Sequence, residues 1–249
     1  MASERNLVLR FATAAVGIPV ILALIFVAPP WGFYLLVLAA SLVGASELFA
    51  MTHAGDRFAQ GVGVLVSAVA SLAVYFFPQD PRVLATLLFA VPAFGPLFVA
   101  VPLTLLAVMR KMWPDVGSGY VLLSLGLAWL ADTGAYFAGR FLGRHKLYEA
   151  VSPKKTVEGA VGGLLSSILW AVVASQWYLR GTLPLLHAVP LAVVAGPLGQ
   201  AGDLGESLLK RSTGVKDSGS IVPGHGGILD RVDAVIMTTI VVFLYALWH

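Results

Sequence analysis

Residues 119–139 read GYVLLSLGLAWLADTGAYFAG, and this stretch predicts the fold class of the chain. Asp132 is its single charged residue. A helix needs about 20 consecutive apolar residues to cross the hydrocarbon core of a bilayer. We therefore expect an all-α polytopic integral membrane protein with about eight to nine transmembrane helices. The other apolar stretches are residues 11–29, 31–51, 61–77, 82–109, 157–179, 184–205 and 231–248.

The composition of the whole chain favours the same class. Of its 249 residues, 58% are hydrophobic and 12% are charged, and the mean hydropathy is +0.87. Soluble domains carry roughly 25% charged residues, so this chain lacks the charge that a water-facing surface needs. A soluble enzyme, a nucleic-acid-binding module and a disordered chain are excluded. Because there is no cysteine, disulfides, thiol nucleophiles and cysteine-based metal sites are excluded too.

The first half of the chain leaves two questions open. The basic start resembles a signal peptide, but the apolar run after Phe11 is long and has no small-residue cleavage site, so we expect a retained first span. The stretch 82–109 contains Pro92 and Pro96, and proline removes a helix hydrogen bond. That stretch is either one kinked span or two short half-helices, and the side of the N-terminus depends on which it is.

Charge is concentrated in two segments of the second half. Residues 132–158 carry eight charged side chains and residues 203–233 carry nine, of 29 in the chain. Two spans separate the segments, so they face the same side of the membrane, and their lysines and arginines predict that this side is cytoplasmic. We expect a polar cavity open to the cytoplasm in a catalytic part at 118–249, with residues 1–117 as ancillary, lipid-facing helices.

The segment from residue 203, DLGESLLKRSTGVKDSGSIVPGHGGILDRVD, interleaves acids and bases. Carboxylates without cysteine or paired histidine suit Mg²⁺, which proteins hold with one or two carboxylates plus substrate phosphates. Asp203 ends the preceding predicted span, and Asp230 and Asp233 share one face of the next helix. A loop of about 26 residues between Asp203 and Asp230 that folds back would bring the two together.

Glycines in the middle of this segment predict a backbone that bends closely around phosphates. Gly226 and Gly227 follow Pro223 and His225, and glycine tolerates backbone conformations that other residues avoid. His225 either donates to a phosphate or assists a proton transfer, or it stabilises the turn.

The segment 132–158 contains a polar stripe within an apolar span. Asp132, Tyr136 and Arg140 follow at one-turn spacing on one helix face. An ionisable residue within the membrane costs energy and is a functional candidate by default, although pairing across helices would also explain Asp132. Glu47, inside another apolar stretch, either lines a polar cavity or sits at the end of its span.

Residues 152–156, Ser-Pro-Lys-Lys-Thr, look like a loop that enters a helix with Thr156 as its N-cap. A helix N-terminus beside Lys154 and Lys155 is a natural seat for a phosphate. Simple anchoring of basic residues on the cytoplasmic side is the other interpretation.

These residues resemble the signature of the phosphatidate cytidylyltransferases, or CDP-diacylglycerol synthases. The resemblance covers the chain from about residue 128, and the first half agrees only in being hydrophobic. It is carried by Asp132, Ala135-Tyr136, Gly139-Arg140, Ser152-Pro153-Lys154-Lys155-Thr156, Glu158-Gly159, Gly202-Asp203-Leu204, Ser207-Leu208-Leu209-Lys210-Arg211, Lys216-Asp217, Pro223-Gly224-His225-Gly226-Gly227 and Asp230-Arg231-Val232-Asp233.

The resemblance implies an Mg²⁺-dependent transfer of CMP from CTP to phosphatidic acid, giving CDP-diacylglycerol and pyrophosphate. It implies a homodimer in the cell membrane, with no nucleic-acid partner and an active site on the cytoplasmic face. Asp203 and Asp230 are the expected Mg²⁺ ligands, with Asp217 and Asp233 as outer ligands or as ligands of a second cation, monovalent or divalent.

The remaining charged and polar residues of the motif receive roles in the same reaction. Because the phosphatidate nucleophile is already an anion, catalysis needs positioning and charge neutralisation and no protein nucleophile. The expected catalytic residues are Lys210, Arg211, Lys216, Asp217, Arg231 and Asp132. The expected substrate-binding residues are Ser152, Lys154, Lys155, Thr156, Ser207, His225, Gly226, Gly227, Tyr136 and Arg140.

Two other functions compete with this interpretation. A CTP-dependent lipid-alcohol kinase, of the dolichol or phytol kinase type, would use the same cofactor but release CDP. A secondary transporter would show an inverted repeat with paired broken helices, whereas only the stretch 82–109 is broken by prolines in this way.

Overall fold

The structure is a computed structural model that describes residues 2–77, 95–222 and 226–249. This described part contains eight helices and one β-hairpin. They are α1 (Ala2–Phe26), α2 (Pro30–Thr52), α3 (Arg57–Phe76), α4 (Gly95–Met112), α5 (Gly117–Leu142), β1 (Lys146–Tyr148), β2 (Ser152–Thr156), α6 (Val157–Gln176), α7 (Leu185–Ser212) and α8 (Leu229–Trp248).

The helices confirm the helical class and the presence of several apolar spans. Six of those described, α2, α3, α5, α6, α7 and α8, are long and apolar enough to cross a membrane. In α1 the apolar stretch is shorter, Phe11–Phe26. The total of eight to nine spans and the cavity open to the cytoplasm stay predictions. The choice between one and two spans in 82–109 falls largely on residues 78–94, which lie outside the described residues.

The largest difference from the predicted boundaries is at α7. The predicted span ends at residue 205, but the helix continues to Ser212. Glu206 and Lys210 are spaced i,i+4 and form an ion pair, which favours helix through the charged stretch. The helix gives way only at Gly214, which has a positive φ of 75°. The expected loop from Asp203 to Asp230 is therefore wrong, because its first ten residues are helical, and the described residues outside the two helices are 213–222 and 226–228.

Residues 146–156 form a hairpin where the sequence predicted a loop. Lys146 pairs with Thr156 and Tyr148 with Ser152 in an antiparallel arrangement. The predicted cap is confirmed, because the Thr156 hydroxyl accepts a hydrogen bond of 3.0 Å from the Gly159 N–H. The fold is thus helical except for this one hairpin among the described residues.

The chain divides into two compact units. The first comprises Met1–Lys111 and Val215–Val232, and the second comprises Met112–Gly214 and Asp233–His249. This division groups residues 215–232 of the second charged segment with the N-terminal helices. Whether the N-terminal helices are functionally ancillary stays a prediction.

In the first unit, side-chain hydroxyls connect three apolar helices. The Ser71 Oγ lies 3.4 Å from the Tyr34 hydroxyl and 2.7 Å from the Thr104 Oγ1. Thr104 in turn donates to the Ala100 carbonyl at 2.7 Å. Buried polar groups need such partners because no water reaches them. The chain of hydroxyls fixes α2, α3 and α4 relative to one another.

In the second unit, polar side chains hydrogen-bond to backbone carbonyls of neighbouring helices. Thr238 of α8 donates to the Ser124 carbonyl of α5 at 2.9 Å. Gln200 of α7 donates to the Ala160 carbonyl of α6 at 3.1 Å. Such contacts require close helix approach. At Gly202 a Cβ would lie 2.8 Å from the Asp233 carbonyl oxygen, so glycine permits the close approach of α7 and α8 at this point.

Candidate functional site

Lys155 and Asp203 form an ion pair in the second unit. The Lys155 Nζ lies 2.6 Å from the Asp203 Oδ2, and both side chains are about one-quarter exposed. The hairpin strand β2 supplies the lysine and α7 supplies the carboxylate, to which Ser207 also donates at 3.5 Å. Three residues predicted for the site are thus together. Lys155 directly precedes the cap of α6, so the cation stands at the positive end of that helix.

A second ion pair lies one turn further along α7. The Lys210 Nζ is 3.2 Å from the Glu206 Oε1, and both side chains are nearly enclosed. The Asp233 carboxyl, on α8, lies near these groups, where the charge of Asp203 repels it and that of Lys210 attracts it. Buried charges are tolerated only when paired, and here two lysines serve three carboxylates. This excess of oxygen donors is a chemistry that suits a hard cation.

The carboxylates of this cluster are few in number. Across the described ranges, no group of three or more histidine, cysteine, aspartate or glutamate side chains is arranged to hold a metal ion. Mg²⁺ usually takes only one or two carboxylates and completes its shell with water and substrate phosphates. Asp203 and Asp233 therefore fit Mg²⁺ by ligand type and number.

Asp230, in the first unit, anchors the segment that precedes it. Its Oδ2 accepts hydrogen bonds from the backbone N–H of Ser218 at 3.0 Å and of Gly227 at 2.9 Å. Gly226 has a φ of +85°, a left-handed conformation that favours glycine. The bent backbone expected around Gly226 and Gly227 is present. His225, predicted to bind substrate, lies outside the described residues.

Glu47 is the residue whose importance the sequence did not decide. Its carboxylate is buried in the first unit and accepts hydrogen bonds from Ser218, Ile228 and Leu229. It therefore does not simply end its span. The sequence did contain a signal, because Glu47 is an acidic residue in an apolar stretch and has no basic residue within one helical turn. Its partners could not be predicted, because they lie about 170 residues away in the chain and leave no local signature.

The expected stripe on α5 is partly confirmed. The Arg140 Nη1 donates to the Tyr136 hydroxyl at 3.1 Å, as the one-turn spacing predicts. Asp132, an ionisable residue within an apolar span, is exposed on α5. The reason is that α5 turns its glycines and alanines, Gly134 and Ala138 among them, toward α6. The stripe of Asp132, Tyr136 and Arg140 lies on a different face of α5 from the one that packs against α6.

The remaining predicted residues differ in their exposure. Ser152 and Thr156 belong to β2, where Thr156 is buried and caps α6. The exposed residues of this set are Lys154, Arg211, Lys216, Asp217 and Arg231, and the four basic ones among them have the charge that suits an anionic ligand.

Comparison with known proteins places this arrangement in a family. The model of the Cytidylyltransferase family matches residues 80–248, about two thirds of the chain. The chain belongs to this family. The matched range contains both charged segments, 132–158 and 203–233, and it begins after α2 and α3.

Individual relatives agree in name. Proteins named phosphatidate cytidylyltransferase from Staphylococcus saprophyticus and Staphylococcus epidermidis are each 48% identical to this chain over 118 residues. The protein of that name from Staphylococcus aureus strain COL is 44% identical over 118 residues. Each alignment covers 47% of this chain and 45% of the relative, so the chain spans about half the length of the curated relatives that it matches.

The hairpin beside Lys155 yields a prediction about Glu158. Its carboxylate accepts from the N–H groups of Arg144 and His145 at 3.1 and 3.2 Å, and the His145 Nδ1 lies 2.6 Å from the other oxygen. Glu158→Ala removes all these acceptors and loosens the strand start. We expect tryptic cleavage after Arg144 and Lys146 to become about fivefold faster or more, because unpaired backbone donors favour local opening.

The matched control is Glu149→Ala, which removes an exposed glutamate from the turn of the same hairpin. Cleavage rates are measured by mass spectrometry on protein in detergent. Equal rates for the two variants would show that Glu158 does not hold the hairpin.

Proposed function

We propose that the chain is a phosphatidate cytidylyltransferase, which transfers CMP from CTP to phosphatidic acid and releases pyrophosphate and CDP-diacylglycerol. The observation that carries the proposal is the family match over 80–248, the range that contains both charged clusters. The name shared by the staphylococcal relatives supports this substrate pair. Apolar spans admit the lipid, and the charged segments meet the nucleotide.

The reaction is a displacement at the α-phosphorus of CTP. A phosphate oxygen of phosphatidic acid forms the new P–O bond while the bond to the β-phosphate oxygen breaks, and the electron pair leaves with pyrophosphate. Because both reactants are anions, the protein must neutralise charge and hold them in line. No protein nucleophile and no proton transfer from the phosphatidate are needed, since the attacking oxygen is already ionised.

Basic side chains fall into two groups for this task. Lys154, Arg211, Lys216 and Arg231 are exposed and can meet phosphates directly. Lys155 and Lys210 each contact a carboxylate, which holds the ammonium group in place before substrate arrives. Arg140, oriented by its contact with Tyr136, suits the phosphate of the lipid. Holding these groups rigidly is itself catalytic, because little reorganisation remains for the transition state.

Mg²⁺ is the proposed cofactor, with Asp203, Asp230, Asp217 and Asp233 as the carboxylates assigned to it or to a second cation. When bound, Mg²⁺ would neutralise phosphate charge and make pyrophosphate a better leaving group. The chain's own contribution is to place carboxylates beside lysines, so that anions and cations are balanced at each stage.

The proposed location is the cell membrane, with the charged segments on the cytoplasmic face, where CTP is found. The loops around Arg140–Lys155 and Lys210–Lys216 are the most basic of the second half, as expected for cytoplasmic loops. The proposed assembly is a homodimer, which the family resemblance implies.

The first experiment is product identification. Purified protein in detergent is incubated with CTP labelled at the α- or γ-phosphate, phosphatidic acid and Mg²⁺. We expect the α-label in a lipid product and the γ-label in pyrophosphate. A parallel reaction replaces phosphatidic acid with a polyprenol, and a γ-label that appears in that lipid, with release of CDP, would instead identify a CTP-dependent lipid-alcohol kinase. A reaction without phosphatidic acid is the control.

A second prediction separates the two roles open to Asp230. In Asp230→Asn the amide oxygen can still accept from Ser218 and Gly227, so the backbone anchor is kept and the negative charge is lost. We expect at least a tenfold loss of kcat, roughly 1.4 kcal/mol in barrier, without loss of folded protein. Asp230→Ala should lose both the activity and the anchor.

The matched control for Asp230 is Asp115→Asn, an exposed aspartate outside both charged segments, which should leave activity unchanged. More than about a tenth of the wild-type rate in Asp230→Asn would show that the charge is dispensable. Asp230 would then be an anchor of the backbone and no metal ligand.

A third prediction concerns sidedness. Ser220 is exposed in the connection before α8, whereas Ser218 is buried, so a cysteine at 220 is the better reporter. The chain has no cysteine of its own, so Ser220→Cys gives a single label site. A membrane-impermeant thiol reagent should react only after cells are permeabilised. Labelling in intact cells would place this segment outside and away from cytosolic CTP.

A further inference from the structure

Glu47 lies on α2 and is 6% exposed. Its Oε1 accepts a hydrogen bond of 3.0 Å from the Ile228 N–H, and its Oε2 accepts from the Leu229 N–H at 2.8 Å and the Ser218 hydroxyl at 3.1 Å. Backbone N–H groups at the start of a helix have no partner within it. The carboxylate therefore caps α8 from a different helix.

The same short segment is held by Asp230. The Ser218 N–H and the Gly227 N–H both donate to the Asp230 Oδ2. Ser218 is thus held by two carboxylates, by its hydroxyl to Glu47 and by its N–H to Asp230. A change at Glu47 is transmitted to Asp230 through this one serine and through the first turn of α8.

Two glycines of the segment are explained by the Glu47 carboxylate. A Cβ at Gly219 would collide with the Glu47 carboxylate, and a Cβ at Gly227 would collide with it and with the Ser218 hydroxyl. Both φ angles lie outside the left-handed region, so these positions do not need glycine for their backbone conformation. They need it because the carboxylate fills the adjacent space.

We infer that Glu47 is a positioning residue that fixes Ser218 and residues 227–230, and with them Asp230, in the geometry that the reaction requires. The effect on catalysis rests on the proposed function, while the effect on these residues does not. Glu47 precedes the family match at 80–248 and lies in a helix expected to be ancillary. Through Asp230, α2 thus contributes to the site.

Glu47→Gln is the sharpest variant, because it keeps the size of the side chain. The carboxylate accepts at both oxygens, whereas an amide has one oxygen and one NH₂ group. In either orientation the NH₂ group faces a backbone N–H, of Ile228 or of Leu229, so one donor is left without an acceptor. Burying an unpaired donor is costly, and the segment should open more often.

Opening is measured with Ser220→Cys as the reporter, in protein purified in detergent. We expect thiol labelling at 220 to become about tenfold faster in Glu47→Gln, as a lost buried hydrogen bond predicts. A cysteine at Ser212, exposed in the last turn of α7, reports on the second unit and should label at an unchanged rate. Ser46→Ala, which removes an exposed hydroxyl bonded within its own helix, is the matched control on α2.

Kinetics test the link to catalysis. We expect kcat to fall about tenfold or more in Glu47→Gln while KM for CTP changes much less, because Asp230 is displaced and basic residues outside the segment, such as Lys154 and Arg211, are not. Ser218→Ala removes one of the three donors and should have a smaller effect. Because Glu47 and Ser218 belong to one cluster of hydrogen bonds that holds the same residues, the double variant should be less impaired than the two single effects combined.

Unchanged labelling at 220 in Glu47→Gln would overturn the inference. An equal rise at 212 and 220 with a lower melting temperature would also overturn it, because it would show general destabilisation. A selective rise at 220 in a protein whose wild type lacks transferase activity would support the placement by Glu47 and reject the proposed function. If Glu47→Gln does not accumulate, Ser218→Ala with the same two reporters decides between these outcomes.

Discussion

A carboxylate among apolar helices is stable only if donors or cations meet each of its oxygens. The cost of leaving an ionised group unpaired without water exceeds what any single packing contact returns. In this chain Glu47 accepts hydrogen bonds at both oxygens, Asp203 pairs with Lys155 of the hairpin and accepts from Ser207, and Glu206 pairs with Lys210 on the same helix. The contacts of Glu47 also order backbone that lies outside the helices.

The constraint explains why non-helical segments adopt defined conformations here. The connection between α7 and α8 has little apolar surface to bury, and its order comes from the hydrogen bonds that Glu47 and Asp230 accept from it. The hairpin before α6 is ordered in the same way by Glu158. In both places the carboxylate accepts the hydrogen bonds from backbone N–H groups that carbonyl groups accept in a helix or a sheet.

Sequence patterns predicted features that depend on neighbours in the chain and missed those that depend on distant partners. The boundaries of α2, the cap at Thr156 and the contact of Tyr136 with Arg140 follow from local spacing, and all are present. The hairpin was missed because its two strands are short and largely exposed, and their sequence shows little alternation of apolar and polar residues. The partner of Glu47 and the exposure of Asp132 required knowledge of which helix faces meet, and apolar residues on every face of a membrane helix hide that information.

Charge balance links the observed ion pairs to the proposed reaction. Without phosphate nearby, Lys155 and Lys210 are neutralised by Asp203 and Glu206. A phosphate that binds either lysine draws it from its carboxylate, and that carboxylate then needs another cation. In the proposed reaction, binding of a polyphosphate and of a divalent cation would thus be coupled, each improving the affinity for the other. Lysines that are already paired with carboxylates would suit the uptake of a nucleotide together with a metal ion better than the uptake of either alone.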